Sequence, residues 1–145
     1  MTMKHLILLS ISLFFLNPLF SMSDSLAIQQ LLEKESATWR SGDFQAHADC
    51  WHIQPYSRIL VSTTDGKTYD VPPALMKDPK TPMGDGGTSY NSHYHMSIHG
   101  DHAWVSHDEV SISKDGHKTY SHEIRILEKI EGAWKLVAQS IHQYL

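Results

Sequence analysis

The C-terminal stretch Thr119–Leu145, TYSHEIRILEKIEGAWKLVAQSIHQYL, decides the fold because it predicts a long β-hairpin. Its arms, TYSHEIRILE and AWKLVAQSIHQY, alternate in character as half-buried strands do. The segment between them, 130–132, predicts a three-residue loop in which Gly132 supplies the positive φ of a G1 bulge. The hairpin therefore sets the register of the last two strands.

The three-residue loop places Ile126 opposite Leu136 and gives the hairpin one coherent face. A two-residue turn would pair Glu128 with Lys135, which is favourable, but would move Ile124 and Ile126 away from the face of Leu136. We therefore predict the three-residue loop. The face that it creates is apolar beside the turn (Ile126, Trp134, Leu136) and polar at the far end (Tyr120, His122, Ser140, His142).

A second hairpin is predicted over residues 90–113, with a two-residue turn at 100–101. Counting from the turn pairs Ile98 with Ala103 and Tyr94 with His107. Its inner face also ends in polar side chains, namely Tyr94, His107 and Glu109. Its outer face carries His93, His95 and Trp104, which favours a dimer interface or a solvated surface over a metal site that lacks a third ligand.

The residues before these hairpins predict helices and two short strands. A helical stripe runs from the possible caps at 23–25 to Gly42 and includes Glu35 and Trp39. A short helix is predicted after Asp43, and strands are predicted at 57–64 and 67–71. The Pro/Gly-rich segment 72–88 then predicts a mobile crossing, in which 74–77 can form a helical turn. Helices segregated on one face of such a sheet predict an α+β fold.

Length and composition indicate one exported domain. Of the 145 residues 41% are hydrophobic, which suffices for one core. Residues 1–23, with Lys4 before the apolar run Leu6–Phe20, have the form of a signal peptide cleaved near Ser23, and a transmembrane anchor is the alternative. The domain would then comprise residues 24–145, periplasmic or secreted. Cys50 is the only cysteine, so this fold has no internal disulfide.

Charge and motifs exclude several classes of function. The formal net charge of −4 disfavours binding to nucleic acid and to anionic membranes. The sequence contains no nucleophile elbow, phosphate loop, HExxH or CxxC motif, so we expect no cofactor and no metal.

Four stretches resemble the nuclear transport factor 2-like (NTF2-like) superfamily, in its SnoaL-like branch. They are the helix with Trp39 followed by Gly-Asp-Phe, HADCWHIQPY, GDHAWV and, most specifically, RILEKIEGAWKLV. The resemblance covers about residues 25–143. It implies a cone: a strongly curved, mixed but mostly antiparallel sheet wrapped around the N-terminal helices, with a cavity at one end and commonly a homodimer. Members of the superfamily include isomerases, dehydratases and cyclases as well as binding modules, so the fold alone does not decide function.

The predicted function is binding of a small apolar or amphipathic molecule in a cavity that is polar at one end. The alternative is a lyase or isomerase in which His107, Glu109 or His122 performs general acid/base catalysis in the same cavity. A second alternative is protein interaction through the outer sheet face around Trp104. The predicted ligand-binding residues are Trp39, Trp51, Tyr56, Tyr94, Tyr120, Ser140 and His142.

Overall fold

The computed structural model describes residues 23–145, and this part of the chain begins with the two predicted helices. They are α1 (Asp24–Ser41) and α2 (Phe44–Ala48). The Ser23 hydroxyl caps α1, and Gly42 ends it in the left-handed region with a φ of 73°. The predicted stripe is confirmed, because the buried residues of α1 include Ile28, Leu32 and Glu35.

Residues 1–22, which hold the predicted signal peptide apart from Ser23, lie outside the described residues. Within residues 23–145, no helix is both long and apolar enough to cross a membrane.

Six strands form one mixed sheet, so the predicted α+β class is confirmed. The strands are β1 (Ile59–Ser62), β2 (Thr68–Val71), β3 (Gly87–His99), β4 (His102–Ser113), β5 (Lys118–Ile130) and β6 (Ala133–Tyr144). Their order across the sheet is β2-β1-β6-β5-β4-β3. All neighbours are antiparallel except β1 and β6, which run parallel. The parallel pair joins the short N-terminal strands to the edge of the two long hairpins.

The Pro/Gly-rich crossing, expected to be mobile, docks against the end of α1. Its predicted helical turn is confirmed as a short 3-10 helix, Pro73–Lys77. Further along, the Gly84 N–H donates to the Trp39 carbonyl at 3.0 Å, and the Gly86 N–H donates to the Arg40 carbonyl at 2.8 Å. A side chain at Gly84 would not fit, since its Cβ would lie 2.5 Å from the Arg40 carbonyl oxygen. These bonds satisfy carbonyls that the helix end leaves unpaired.

The first long hairpin follows the predicted register near its turn and departs from it further out. Ile98 pairs with Ala103 as predicted. A register shift between Ser92 and His95, where His93 has a φ of 53°, then changes the pairing. The predicted pair of Tyr94 and His107 falls at this shift, and the two rings stack on each other there. Beyond the shift the pairing differs by one residue from a count from the turn, so Ser92 faces Asp108 and Asn91 faces Glu109.

The predicted three-residue loop of the C-terminal hairpin is wrong. The turn has two residues, Glu131 and Gly132, both with positive φ (50° and 82°), and Glu128 pairs with Lys135. Sequence reasoning rejected this register because it separates Ile124 and Ile126 from the core. The structure accepts that separation: Ile126 remains 37% exposed, and Leu127 occupies the core in its place.

The predicted pairing of β6 is also wrong beyond Leu136, because this strand contains a β-bulge. Leu127 pairs with Leu136, but Ile126 pairs with Ala138, so Val137 is an extra residue in β6. Beyond the bulge Gln139 faces inward and Ser140 faces outward. The turn and the bulge together reverse the predicted facing of the polar ends of both strands.

The apolar core lies between α1, α2 and the turn-proximal half of the sheet. Its members are buried residues of every layer: Ile28, Leu32, Cys50, Trp51, Ile59, Met76, Ala103, Val105, Leu127, Trp134 and Leu136. Toward the other half of the sheet the inward-facing residues become polar. That change positions the candidate site.

Candidate functional site

A cavity of about 390 Å³ lies between α1 and the inner face of the sheet. One part of its wall is apolar and comes from α1, the short strands, the 3-10 helix and β6: Trp39, Ile59, Val61, Val71, Met76 and Ile141. The polar part comes from α1 and the three strands β4, β5 and β6: Glu35, Ser36, Arg40, Glu109, Ser111, Thr119, Ser121, Glu123, Arg125, Gln139 and Gln143. The cavity is therefore apolar on one side and charged on the other.

Arg125 is the centre of the charged side and is 2% exposed. Its guanidinium donates to Glu123 Oε2 and to Gln139 Oε1. Arg125 Nη1 also lies 3.4 Å from Glu35 Oε2, which joins β5 to α1. Burial acts to lower the pKa of Arg125, but the carboxylates of Glu123, Glu35 and Glu109 outweigh it and raise the pKa above its ordinary value, so this residue is a permanent positive charge.

Glu109 occupies a different environment within the same cluster. It is 5% exposed and accepts a hydrogen bond from the Ser36 hydroxyl at 2.6 Å. Arg40 Nη2 lies 3.8 Å from Glu109 Oε1, beyond hydrogen-bond distance. Burial and the neighbouring Glu123 raise the pKa of Glu109 above its ordinary value. Glu109 is thus a carboxyl group that retains its proton to higher pH than an exposed glutamate.

The other two carboxyl groups shift in opposite directions. Burial raises the pKa of Glu35, although Arg125 opposes this shift. Burial also acts to raise the pKa of Glu123, but Arg125, His107 and the Ser121 hydroxyl outweigh it and lower the pKa. The cavity therefore holds Glu123, whose pKa is lowered, beside Glu35 and Glu109, whose pKa values are raised.

His107 lies immediately behind this cluster. Its Nε2 is 3.6 Å from Glu123 Oε2, and Tyr94 stacks on the imidazole with ring centroids 5.3 Å apart. Burial, with a further contribution from Arg125, lowers the pKa of His107 to about 4. The imidazole is consequently neutral at neutral pH and contacts the cluster without lining the cavity.

Of the predicted site residues, Trp39 and Glu109 line the cavity. Trp51, which was expected on its wall, is a buried core residue, because α2 places it against His47 and α1. Tyr56, also expected on the wall, is 62% exposed, and its hydroxyl donates to Glu128 Oε1 at 2.6 Å. The predicted ligand contacts of Trp51 and Tyr56 therefore do not fit their positions.

Four further predicted site residues lie on the outer face of the sheet: Tyr120, His122, Ser140 and His142. The one-residue changes at the turn and the bulge move them there, so they do not share the cavity with Glu109. His122 and His142 line a pocket on the outer face, which His107 also reaches. His122 Nδ1 is instead 2.7 Å from Asp108 Oδ1, and Tyr144 stacks on its ring. Asp108 also pairs with His93, at 2.9 Å.

The outer face also carries Trp104, which is 41% exposed. Its use in a homodimer stays a prediction. Within residues 23–145, no group of three or more His, Cys, Asp or Glu side chains is arranged to hold a metal ion.

Sequence reasoning missed most of the polar lining, above all Glu123, Arg125 and Gln139. The three-residue loop turns Ile124 and Ile126 inward, which leaves the alternating Glu123 and Arg125 on the solvent side of β5. Two signals could have found them: the favourable Glu128–Lys135 pair of the two-residue turn, and Glu35 on the inward stripe of α1. A buried glutamate that is ionised requires a positive partner, and Arg125 lies on a strand whose inner face is turned toward α1.

Comparison with known proteins supports the fold at the level of structure. No protein-family model and no curated protein sequence matches the chain. A Nostoc punctiforme protein of unknown function with a cystatin-like fold has a TM-score of 0.63 and 15% identity, covering 83% of this chain and 91% of its own. An NTF2-like protein from Cytophaga hutchinsonii has a TM-score of 0.60 and 17% identity, with coverage of 85% and 100%.

A proposed dehydratase of the NTF2-like family from Streptomyces avermitilis has a TM-score of 0.64 and 13% identity, with coverage of 84% and 96%. These similarities define the class: the chain has the NTF2-like fold, as its sequence motifs predicted. The SnoaL-like branch stays a prediction. At such low identity the neighbours share a fold with this chain, and its function must be argued from its own cavity.

Proposed function

We propose that this chain is a small-molecule-binding domain whose ligand occupies the cavity between α1 and the sheet. The observation that carries the proposal is the division of a cavity of about 390 Å³ into an apolar wall and a charged end. Ligand sites in proteins commonly have this size and this mixture of apolar surface with a few polar groups. The ligand is accordingly a small amphipathic molecule that places its polar end near Arg125 and Glu109.

The charged end supports this proposal because it is expensive for the fold. Glu35, Glu109, Glu123 and Arg125 are all buried. Removing ions from water costs several kcal/mol each before pairing, and apolar residues of similar size would often stabilise the domain better. Clusters with shifted pKa values in a cavity are typical of functional sites. Interaction with the polar end of a ligand would explain why the fold retains these buried charges despite their desolvation cost.

The test is native mass spectrometry of the chain purified gently from cells that express it with residues 1–22. We expect an excess mass that denaturation releases. Ile141→Trp, which fills the cavity from β6, should abolish the excess. The matched control is Ile126→Trp, the same substitution on the outer face, which should retain it. Equal retention by both variants would contradict cavity binding.

A second candidate is a lyase or isomerase in which Glu109 acts as general acid or base. Its favouring observation is a cavity-lining carboxyl with a raised pKa, held by one hydroxyl hydrogen bond from Ser36. The Streptomyces avermitilis neighbour, a proposed dehydratase, adds weight to this candidate. Neither His122 nor His107 lines this cavity, and His107, 3.6 Å from Glu123 Oε2, is placed to position that carboxylate.

Catalysis is tested without knowing the substrate. The chain is incubated with its ligand in D₂O. The released ligand is then returned to H₂O, which removes deuterium from oxygen and nitrogen, and its mass is measured. A proton-transferring site leaves carbon-bound deuterium in the ligand of the wild type and none in that of Glu109→Gln. A ligand free of deuterium in both would support binding alone.

We further propose that the domain acts outside the cytoplasm. The supporting observation is the sequence of residues 1–23, with a basic start and the apolar run Leu6–Phe20. Cell fractionation and the N-terminal sequence of the exported chain test this proposal. A chain that keeps Met1 and stays in the cytoplasm would contradict it.

A further inference from the structure

The charged end of the cavity contains one more carboxylate than guanidinium. Glu35, Glu109 and Glu123 face Arg40 and Arg125 there. The carboxylates are between 3% and 5% exposed, so water contributes little to their solvation. An uncompensated negative charge in such a place is costly. The cluster alone is therefore balanced only if one carboxyl group holds a proton.

Glu109 is the group with the weakest compensation. Its close hydrogen bond comes from the neutral Ser36 hydroxyl, whereas Glu123 binds Arg125 directly. Arg40, the nearest cation to Glu109 among the described residues, is 3.8 Å away and 29% exposed at its side chain. Glu109 thus has room for a closer positive partner on the cavity side.

Both guanidinium groups also leave a donor unused. The Nε–H groups of Arg125 and Arg40 are buried and have no hydrogen-bond partner within residues 23–145. A buried donor without a partner costs free energy. Both arginine side chains line the cavity, so a guanidinium that turns toward a ligand oxygen there would remove that cost. A neutral oxygen serves this purpose without adding to the excess of negative charge.

We propose that the cavity takes a small organic cation, a protonated amine that pairs with Glu109 and carries a neutral oxygen acceptor for Arg125. This inference rests on the proposed binding function and specifies its ligand class. The apolar remainder of the ligand lies against Trp39, Val61 and Ile141. An anionic ligand would increase the excess of negative charge, and a neutral alcohol would leave it unchanged.

Three probes with one skeleton test the sign of the ligand's charge: 2-amino-1-phenylethanol as the cation, 1-phenyl-1,2-ethanediol as the neutral form and mandelate as the anion. Binding to the full chain is measured by calorimetry at pH 7. We expect the amine to bind at least about tenfold tighter than the diol, because charge-assisted hydrogen bonds are stronger than neutral ones. Mandelate should bind most weakly. Removing the hydroxyl, in 2-phenylethylamine, should weaken binding several-fold.

Variants locate the preference at Glu109. Glu109→Gln keeps the shape of the side chain and should reduce amine binding about tenfold while leaving the diol nearly unchanged. The matched control is Glu33→Gln, which removes the same charge from the exposed side of α1 and should change neither. If Glu109→Gln does not fold, the ranking of the three probes on the wild type alone still shows whether the cavity prefers a cation.

The outcomes separate this inference from the proposed function. A diol or mandelate that binds as tightly as the amine overturns the cation preference and leaves cavity binding standing. An amine that does not bind overturns the cation preference as well. Cavity binding itself fails only if Ile141→Trp and Ile126→Trp retain the same ligand mass.

Discussion

The inner and outer faces of β5 differ more than their sequence does. Glu123 and His122 are neighbours in the chain, and each ionisable side chain has an ionisable partner: Arg125 for Glu123 and Asp108 for His122. On the inner face Glu123 is 3% exposed and pairs with the buried guanidinium of Arg125. On the outer face the His122 side chain is 65% exposed and binds Asp108 at the solvent boundary.

The difference shows that position relative to the sheet decides what an ion pair does. A pair on the outer face is screened by water and contributes about 0–1 kcal/mol. A buried pair is costly to form, and the loss of one partner is costlier still because a buried charge is left alone. A one-residue change in register exchanges these two roles for every side chain of the strand.

The largest expected effect comes from removing the central cation. Arg125→Met leaves Glu35 and Glu123 without a buried partner and should lower the free energy of unfolding at pH 7 by about 3–5 kcal/mol. Urea denaturation measures it. The control is Arg58→Met, because Arg58 binds Asp70 at 3.0 Å with both side chains more than half exposed. That variant should lose less than about 1 kcal/mol. Similar losses in the two variants would show that the cluster around Arg125 is hydrated.

The next effect tests the register itself. Leu127→Ala should cost about 2–5 kcal/mol, because Leu127 is completely buried. Ile126→Ala, one residue earlier and 37% exposed, should cost about 1 kcal/mol or less. Urea denaturation of both variants gives the comparison. The three-residue loop predicted from the sequence requires the opposite order, so a larger loss at Ile126 would restore that register.

The sequence was sufficient for the fold because the fold depends on features that tolerate small errors. Helix caps at Ser23 and Gly42, periodicity in α1 and turn residues at 100–101 each act locally. They remain informative if a strand shifts by one residue. The order of elements, the class and the inward stripe of α1 were accordingly predicted correctly.

The site was harder to predict because it depends on register. Glu109 and Trp39 were identified, since β4 keeps its facing and α1 has a clear period. His122 and His142 were assigned to the inner face through a loop chosen for its apolar continuity. The structure instead accepts the exposure of Ile126 and buries Arg125, a choice that becomes favourable only when Glu35, Glu123 and Gln139 surround it. No single stretch of sequence contains that compensation.

Histidines on the two faces provide the smallest and most specific contrast. The ring of His107 is buried, and its pKa is lowered from 6.5 to about 4 in the folded state. The unfolded chain therefore takes up a proton first as the pH falls, and His107 removes stability between pH 6.5 and pH 4. The loss is on the order of 3 kcal/mol across that window, and none arises above it.

His107→Gln should remove this dependence, so the difference in unfolding free energy between wild type and variant should change by about 1.4 kcal/mol per pH unit near pH 5. The comparison with a variant is necessary because Glu35 and Glu109 act in the opposite direction. Their pKa values are raised in the folded state, so they lower the free energy of unfolding as the pH rises above 4.5. The matched variant is His122→Gln on the outer face, where the histidine side chain is 65% exposed. If the two variants changed the pH dependence equally, His107 would be accessible to water, and the inner face would be no drier than the outer one.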